Sequence, residues 1–248
     1  KAFEYLKSHS AEDTVVYAVS LLEDDTLYNA GTGSQIQSDG KIRMSASLMN
    51  GDNQKFSGVI NIENVKNPIQ IAQVLMKEDD RVLGGNGAKM YATKKGFPDY
   101  STEIPQRRKE YEEKVKNGGK GTVGCVALDQ NGKLAAATST GGKGFEIIGR
   151  ISDSATVAGN FANRYCAVSC TGVGEDIVSN ATAAKIVTRV TDGMKLEEAF
   201  DKTFTELKEV DGFAGAIAID SNGNFFHQDS YPTMVFASFD GSTYEVFN

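Results

Sequence analysis

The chain changes its folding grammar at Gly121, and that change limits the architectures open to it. Directly after the Gly121-Thr122 junction come two short runs of small apolar and β-branched residues, Val123 to Leu128 and Lys133 to Thr140. Between them lies Asp129-Gln130-Asn131-Gly132, a polar, glycine-ended stretch with the chemistry of a hairpin turn, so the two runs are expected to pair antiparallel. The pattern returns near the C-terminus, where Gly215 to Asp220 and Phe225 to Gln228 flank Ser221-Asn222-Gly223-Asn224. Between the hairpins, apolar residues fall at helical spacing. One run is Asp176 to Val190, ended by Asp192-Gly193; the other is Lys195 to Val210, with Leu196, Ala199, Phe200, Phe204 and Leu207 on one face. Strand pairs interrupted by helix pairs predict an α+β fold, with antiparallel sheets and helices on their outer faces.

Before the junction, Val15, Val16, Val19 and Leu22 keep helical spacing from Glu12 to Leu22. A second helix is expected at Asn67-Pro68, with Asn as cap and Pro at the first helical position, and Ile69, Ala72, Leu75 and Met76 on one face. Both are expected to cover one side of a sheet. From residue 98 to 121 the sequence turns polar, through Pro98, Pro105, Gln106-Arg107-Arg108-Lys109-Glu110 and Asn117-Gly118-Gly119-Lys120-Gly121, and reads as an exposed, mobile linker. Segments 1–121 and 122–248 are expected to form one structural domain, since 248 residues at 40% hydrophobic content suffice for one merged core.

Composition removes several classes of function. Residues 1–121 carry 17 basic and 17 acidic side chains and residues 122–248 carry 9 and 16, so the net charge of -7 lies wholly after the junction. No basic block with interleaved aromatics offers a nucleic-acid surface. No apolar run approaches the roughly 20 residues a membrane-spanning helix needs. The three cysteines, Cys125, Cys166 and Cys170, are an odd number in apolar or small-residue surroundings, which fits reduced thiols and a cytoplasmic location. The chain opens at Lys1 in helix-like sequence, so its start is expected to lie upstream and targeting is not read from it.

Four clusters carry the chemistry: Gly121-Thr122-Val123-Gly124-Cys125, Thr138-Ser139-Thr140-Gly141-Gly142, Gly149-Arg150-Ile151-Ser152-Asp153-Ser154 and Cys170-Thr171-Gly172-Val173-Gly174-Glu175. A fifth, Asn29-Ala30-Gly31-Thr32-Gly33-Ser34, stands in the N-terminal half. Together they resemble the plant-type asparaginase (isoaspartyl peptidase) family of Thr-dependent N-terminal nucleophile hydrolases, over most of the chain. The resemblance implies an αββα sandwich and a precursor that cuts itself between Gly121 and Thr122. A threonine hydroxyl needs a proton acceptor, and the two histidines, His9 and His227, lie outside the clusters. A freed α-amine, of pKa about 7.7 to 8, supplies that base on the nucleophile itself. Glycine at position 121 suits the cut, because a residue without Cβ can take the strained backbone that exposes its carbonyl.

Carried over by residue, the resemblance makes Thr140 the hydroxyl that tunes Thr122, and Thr171 with Gly172 the oxyanion hole. It brings Asn29 to the nucleophile's amino group. Arg150 is implied to bind the substrate α-carboxylate and Asp153 its ammonium, while Gly174 lines the pocket. A guanidinium and a carboxylate at fixed separation match the two charges on the α-carbon of an aspartyl substrate. No cofactor is implied for catalysis. A structural sodium ion is implied in a loop holding it mainly by backbone carbonyls, with Leu22, Glu23, Asp25, Tyr28, Ala30 and Thr32 as the matching positions. The implied assembly is a dimer of α/β heterodimers.

The sequence also departs from the family pattern. A strand and an HGGAG-type glycine loop are expected ahead of the first helix and precede the point where this chain opens. Arg43, Ser45 and Asn50 stand where the family carries carboxylates. Ser152 replaces a glycine, Ala155-Thr156 a Pro-apolar pair, and Gly212-Phe213-Ala214-Gly215 a GGxGG run. The expected function is a self-processing amidohydrolase that cleaves L-asparagine and/or β-aspartyl dipeptides and releases aspartate. Its rivals are a glycosylasparaginase, disfavoured by Thr122-Val123-Gly124-Cys125, and a taspase-like threonine hydrolase, disfavoured by Asp153. A third is an uncleaved, non-catalytic member acting as a binding protein.

Overall fold

The computed structural model describes residues 1–114, 121–230 and 234–247. Before the junction the elements are α1 (Ala2–Leu6), α2 (Ala11–Glu23), β1 (Met44–Asn50), β2 (Lys55–Ile62), α3 (Pro68–Leu75), β3 (Val82–Gly84), α4 (Gly85–Lys94) and α5 (Pro105–Glu112). After it come β4 (Val123–Leu128), β5 (Leu134–Thr140), β6 (Asn160–Ala162), β7 (Cys166–Gly172), α6 (Gly174–Asn180), α7 (Thr182–Thr191), α8 (Leu196–Glu209), β8 (Ala214–Asp220), β9 (Phe225–Asp229), β10 (Phe236–Phe239) and β11 (Tyr244–Phe247). One sheet has the order β3-β2-β1-β5-β4, antiparallel except for β3, which joins β2 in parallel. A second, antiparallel sheet has the order β6-β7-β8-β9, and β10 with β11 forms a separate ribbon.

Side-chain alternation along the strands builds the layers. Ala135 and Ala137 of β5 join Val15, Val19, Ile69, Ala72 and Leu75 in a core beneath α2 and α3. Leu134 and Ala136 point the other way, to Met49, Ala162 and Ala167, in the layer between the sheets. On the far side, Val168 and Ala216 pack against Ile186, Val187, Phe200 and Phe204 of α7 and α8. The result is the expected order of helices, sheet, sheet, helices.

Both hairpins form as predicted, each around an aspartate. Asp129 Oδ1 accepts from the Asn131 and Lys133 amides (2.9 and 3.0 Å), with Gly132 at φ 71 closing the turn. Asp220 Oδ1 does the same for Asn222 and Asn224 (both 2.9 Å). The predicted first helix is α2, capped by Ser10, whose Oγ accepts from the Asp13 amide at 3.1 Å.

Four features differ from the sequence-based expectation. The helix expected over 176–190 is broken into α6 and α7 at Ala181, which sits in the left-handed region at φ 51. Asn67 holds the N-cap position of α3, but its side chain binds Asp24 Oδ1 (3.0 Å) instead. Glu23 Oε1 takes over the capping role, accepting from the Ile69 amide at 3.1 Å. Part of the expected exposed linker is helical and docked: in α5, Arg107 is buried and its Nε donates to the Gly33 carbonyl at 2.8 Å. The stretch just before Gly121, residues 115–120, lies outside the described residues. Finally, β1 and β2 have no counterpart in the sequence reading, because β1 is covered on both faces and lacks the alternation that marks a half-exposed strand.

The sheets approach closely because their facing residues are small. A Cβ at Gly124 would run into Ser169 Oγ and lie 3.3 Å from the Ala137 carbonyl. Ser169 Oγ and Thr138 Oγ1 share a hydrogen bond of 2.7 Å across the gap. Gly124→Ala is therefore expected to lower stability by about 1–3 kcal/mol, measured by denaturant unfolding, and Ser169→Ala in the same chain to recover part of that loss.

Candidate active site

The same alternation places the nucleophile candidate. In β4, Val123 and Ala127 belong to the core under α2, so Gly124 and Val126 face the second sheet. Thr122, one residue before the strand, continues that inter-sheet row. It is half-buried, and its hydroxyl donates to Thr140 Oγ1 at 3.3 Å. Thr140 Oγ1 also accepts from the Gly142 amide at 3.2 Å, which fixes its lone pairs relative to Thr122. Strands β5 and β7 cross the gap in the same sense, with Leu134 and Ala136 near Ala167 and Thr138 on Ser169. Thr140 and Thr171, two residues further along each, thus end at one edge of the sandwich.

The loop after Thr140 is clamped by Asn29. The Asn29 backbone carbonyl accepts from the Gly141 amide (2.7 Å), its Nδ2 donates to the Gly142 carbonyl (2.5 Å) and its Oδ1 accepts from the Gln35 amide (2.8 Å). These bonds occupy the Asn29 side chain with the loop beside the nucleophile. A Cβ at Gly141 would collide with Asn29 Oδ1 and Ser34, so glycine is required by the close approach.

Behind this clamp stands Glu23, fully buried at the end of α2. Its Oε1 accepts from Ser139 Oγ at 2.6 Å and from the Ile69 amide, while its own carbonyl accepts from the Thr32 amide at 2.7 Å. Burial pushes its carboxyl up to about 8. Ser139 lies between Thr138 and Thr140 and pairs with Val123, so Glu23 ties the Asn29 loop to both site strands. Sequence reading placed Glu23 only in the metal loop; its structural role leaves no local signal, because its partners come from distant segments.

Arg150 and Asp153 converge on Gly174. A Cβ there would stand 2.7 Å from both Arg150 Nη2 and Asp153 Oδ1. Asp153 is 3% exposed, and burial pushes its carboxyl up to about 6. Its Oδ1 accepts from Ser152 Oγ at 3.1 Å, while Oδ2 has no partner among the described residues. Arg150 is not paired directly with Asp153. Its Nε and Nη2 donate to Glu175 Oε1 and Oε2 at 2.8 and 3.0 Å, a fork that pulls the Glu175 carboxyl down to about 2. The other guanidinium edge, Nη1 with Nη2, remains available to a second carboxylate. Glu175 is the functional-site neighbour to which sequence reading gave no role, although it directly follows Gly174.

The turn after β7 is open: Thr171 is half-buried, Gly172 is exposed at φ 125, and Val173 caps α6. Burial pushes all three thiols up, Cys125 to about 12, which leaves them protonated and unsuited to nucleophilic attack. His9 stacks on Tyr5 and His227 on Phe236, both at 3.6 Å between ring centroids, and neither bonds to Thr122. Gly121 is half-buried beside Thr122. Leu22 and Glu23 are the last residues of α2, and Asp25, Tyr28, Ala30 and Thr32 lie on the turn that follows it. Its carbonyls crowd two left-handed glycines, Glu23 O against Gly31 at φ 55 and Thr26 O against Gly33 at φ 98. Among the described residues no helix is long and apolar enough to cross a membrane.

Comparison with known proteins identifies the family. The chain is 48% identical over 251 residues to an isoaspartyl peptidase/L-asparaginase of Synechocystis sp., covering 94% of this chain and 76% of that protein. It is 48% identical over 238 residues to an isoaspartyl peptidase/L-asparaginase of Nostoc sp., covering 88% and 75%. A plant-type L-asparaginase of Pyrococcus furiosus is 37% identical over 246 residues, covering 88% and 80%. A family model described as asparaginase matches residues 2–247, so the chain belongs to the asparaginase family of N-terminal nucleophile hydrolases.

Proposed function

We propose that this chain hydrolyses the side-chain amide of L-asparagine and the β-peptide bond of β-aspartyl dipeptides, after cutting itself between Gly121 and Thr122. The observation that carries the reading is the convergence of Arg150 and Asp153 over Gly174, at the sandwich edge where Thr122 meets Thr140. The open Arg150 edge takes the substrate α-carboxylate and Asp153 the α-ammonium, which turns the side-chain carbonyl towards Thr122. The relatives' names point to the same two substrates.

In this reading the freed α-amine of Thr122 accepts the proton of its own hydroxyl as the oxygen attacks the carbonyl carbon. Thr171 and the Gly172 amide hold the oxyanion, and glycine at 172 lets this turn lie against Phe213 and Ala214, where a Cβ would clash. Ammonia or an amino acid leaves with the proton, and water then attacks the threonyl ester to release aspartate. Thr140 orients the attacking hydroxyl, and Asn29, by clamping the Gly141-Gly142 turn, keeps Thr140 in place. The turn that links Leu22 to Thr32 is suited to a structural sodium ion, since the Thr26 and Tyr28 carbonyls both approach Gly33 and hard cations favour oxygen ligands. Its part is to brace the loop that carries Asn29.

Assembly as a dimer of α/β heterodimers is supported by exposed Ile147, Ile148, Ile151, Val173 and Val178, which flank the site on two neighbouring segments. A cytoplasmic location is supported by three unpaired, protonated thiols.

Two outcomes test the reading. Thr122→Ala should lower hydrolysis of both substrates by roughly three orders of magnitude or more; a variant that keeps its activity removes Thr122 from the chemistry. Asp153 carries a carboxyl that burial raises from 3.8 to about 6, so its ionised form costs folding free energy that is absent at low pH and complete above about 6. Asp153→Asn should therefore melt above the wild type at pH 7–8, with the gap closing as pH falls towards 4. The same substitution should raise KM for L-asparagine strongly, because the ammonium loses its anion. Wild-type KM should climb as pH drops below about 6 for the same reason.

A further inference from the structure

Glu175 does more than hold Arg150. Its Oε1 also accepts from Lys143 Nζ at 3.2 Å, so one carboxylate oxygen is shared by the Arg150 Nε and a lysine ammonium. Lys143 belongs to the loop that begins at Thr140, the residue bonded to Thr122. Its neighbours Gly142 and Gly144 sit at φ 84 and 75, a turn that lifts the lysine off the strand. Asn29 pins the base of that turn through the Gly142 carbonyl. Lys143 is 57% exposed and Arg150 only 14%, so the arginine forms the floor of the site and the lysine its rim.

A β-aspartyl dipeptide carries two carboxylates, one on the aspartyl α-carbon and one on the departing amino acid. Standard bond lengths put them roughly 5–7 Å apart. Lys143 Nζ and Arg150 Nε touch the same oxygen of Glu175, at 3.2 and 2.8 Å, which brings the lysine beside the guanidinium whose second edge takes the aspartyl carboxylate. L-Asparagine carries only the first carboxylate, and its leaving group is ammonia. Resting on the functional reading above, we propose that Lys143 is a specificity-determining residue that binds the carboxylate of the leaving amino acid in β-aspartyl dipeptides, with Glu175 orienting Lys143 and Arg150 together. Glu175 keeps its fork on Arg150 when substrate binds, because the second edge of the guanidinium receives the aspartyl carboxylate. The lysine is free to move, since an exposed pair with Glu175 is weakly held.

The test compares β-aspartyl-alanine with β-aspartyl-alaninamide, which lacks the second charge, and with L-asparagine, on the matured enzyme. The wild type should prefer the free acid over the amide by about two- to five-fold in kcat/KM, the range open to a solvent-exposed ion pair. Lys143→Ala should abolish that preference and lower the ratio of dipeptide to asparagine activity, while Lys143→Arg should keep it. Added salt should shrink the wild-type preference and leave Lys143→Ala unaffected. An acid-over-amide preference of the same size in wild type and Lys143→Ala would overturn the assignment and leave the amidohydrolase reading standing. A wild type that hydrolyses none of the three compounds would overturn both.

Discussion

The close contact of two sheets through very small side chains sets the geometry of everything else. Gly124, Ala136, Ala162 and Ala167 face one another across the gap, and Thr138 and Ser169 add a hydrogen bond within it. Larger residues would open the layer and separate β5 from β7. With the strands so close, the two ends that carry Thr140 and Thr171 come out at one edge, and the residue before β4 becomes the natural place for a nucleophile. The site thus depends on the small residues where β4 and β5 cross β7, while Met49, Leu134, Phe161 and Ile219 fill the rest of the layer.

The edge is then stiffened by buried polar groups with partners from far along the chain. Glu23 joins α2, α3 and β5, and Asn29 joins its own loop to Gly141 and Gly142. Such groups would be costly if unpaired, so each bond also selects one arrangement of loops. One oxygen of each buried carboxyl stays without a partner among the described residues, Oε2 of Glu23 and Oδ2 of Asp153. Asp153 turns that oxygen towards Gly159 and the other, Oδ1, towards Gly174 beside the Arg150 guanidinium.

Much of this was legible in the chain. Turn chemistry at Asp129 to Gly132 and Ser221 to Asn224 located both hairpins, and helical spacing located α2, α3 and α8. These signals are local, and local energetics decided the outcome. Strand β1 escaped because it is sandwiched on both faces, which erases alternation, and α5 because a polar helix held by Arg107 and Glu110 has no apolar stripe. Ala181 escaped because nothing in alanine announces a left-handed residue. At the site, Thr122, Thr140, Arg150 and Asp153 were singled out by the resemblance of their clusters to the asparaginase family. The Glu175 fork and the Glu23 knot were invisible, because each depends on a contact that exists only once distant segments have packed.

The central claim is that Thr122 becomes a chain terminus whose own amine activates its hydroxyl. Intact-mass analysis of the purified, active protein tests this most directly. The account predicts two polypeptides that meet at Gly121/Thr122, appearing in step with hydrolysis of a β-aspartyl dipeptide. A protein that stays in one piece and hydrolyses the dipeptide at full rate would contradict it.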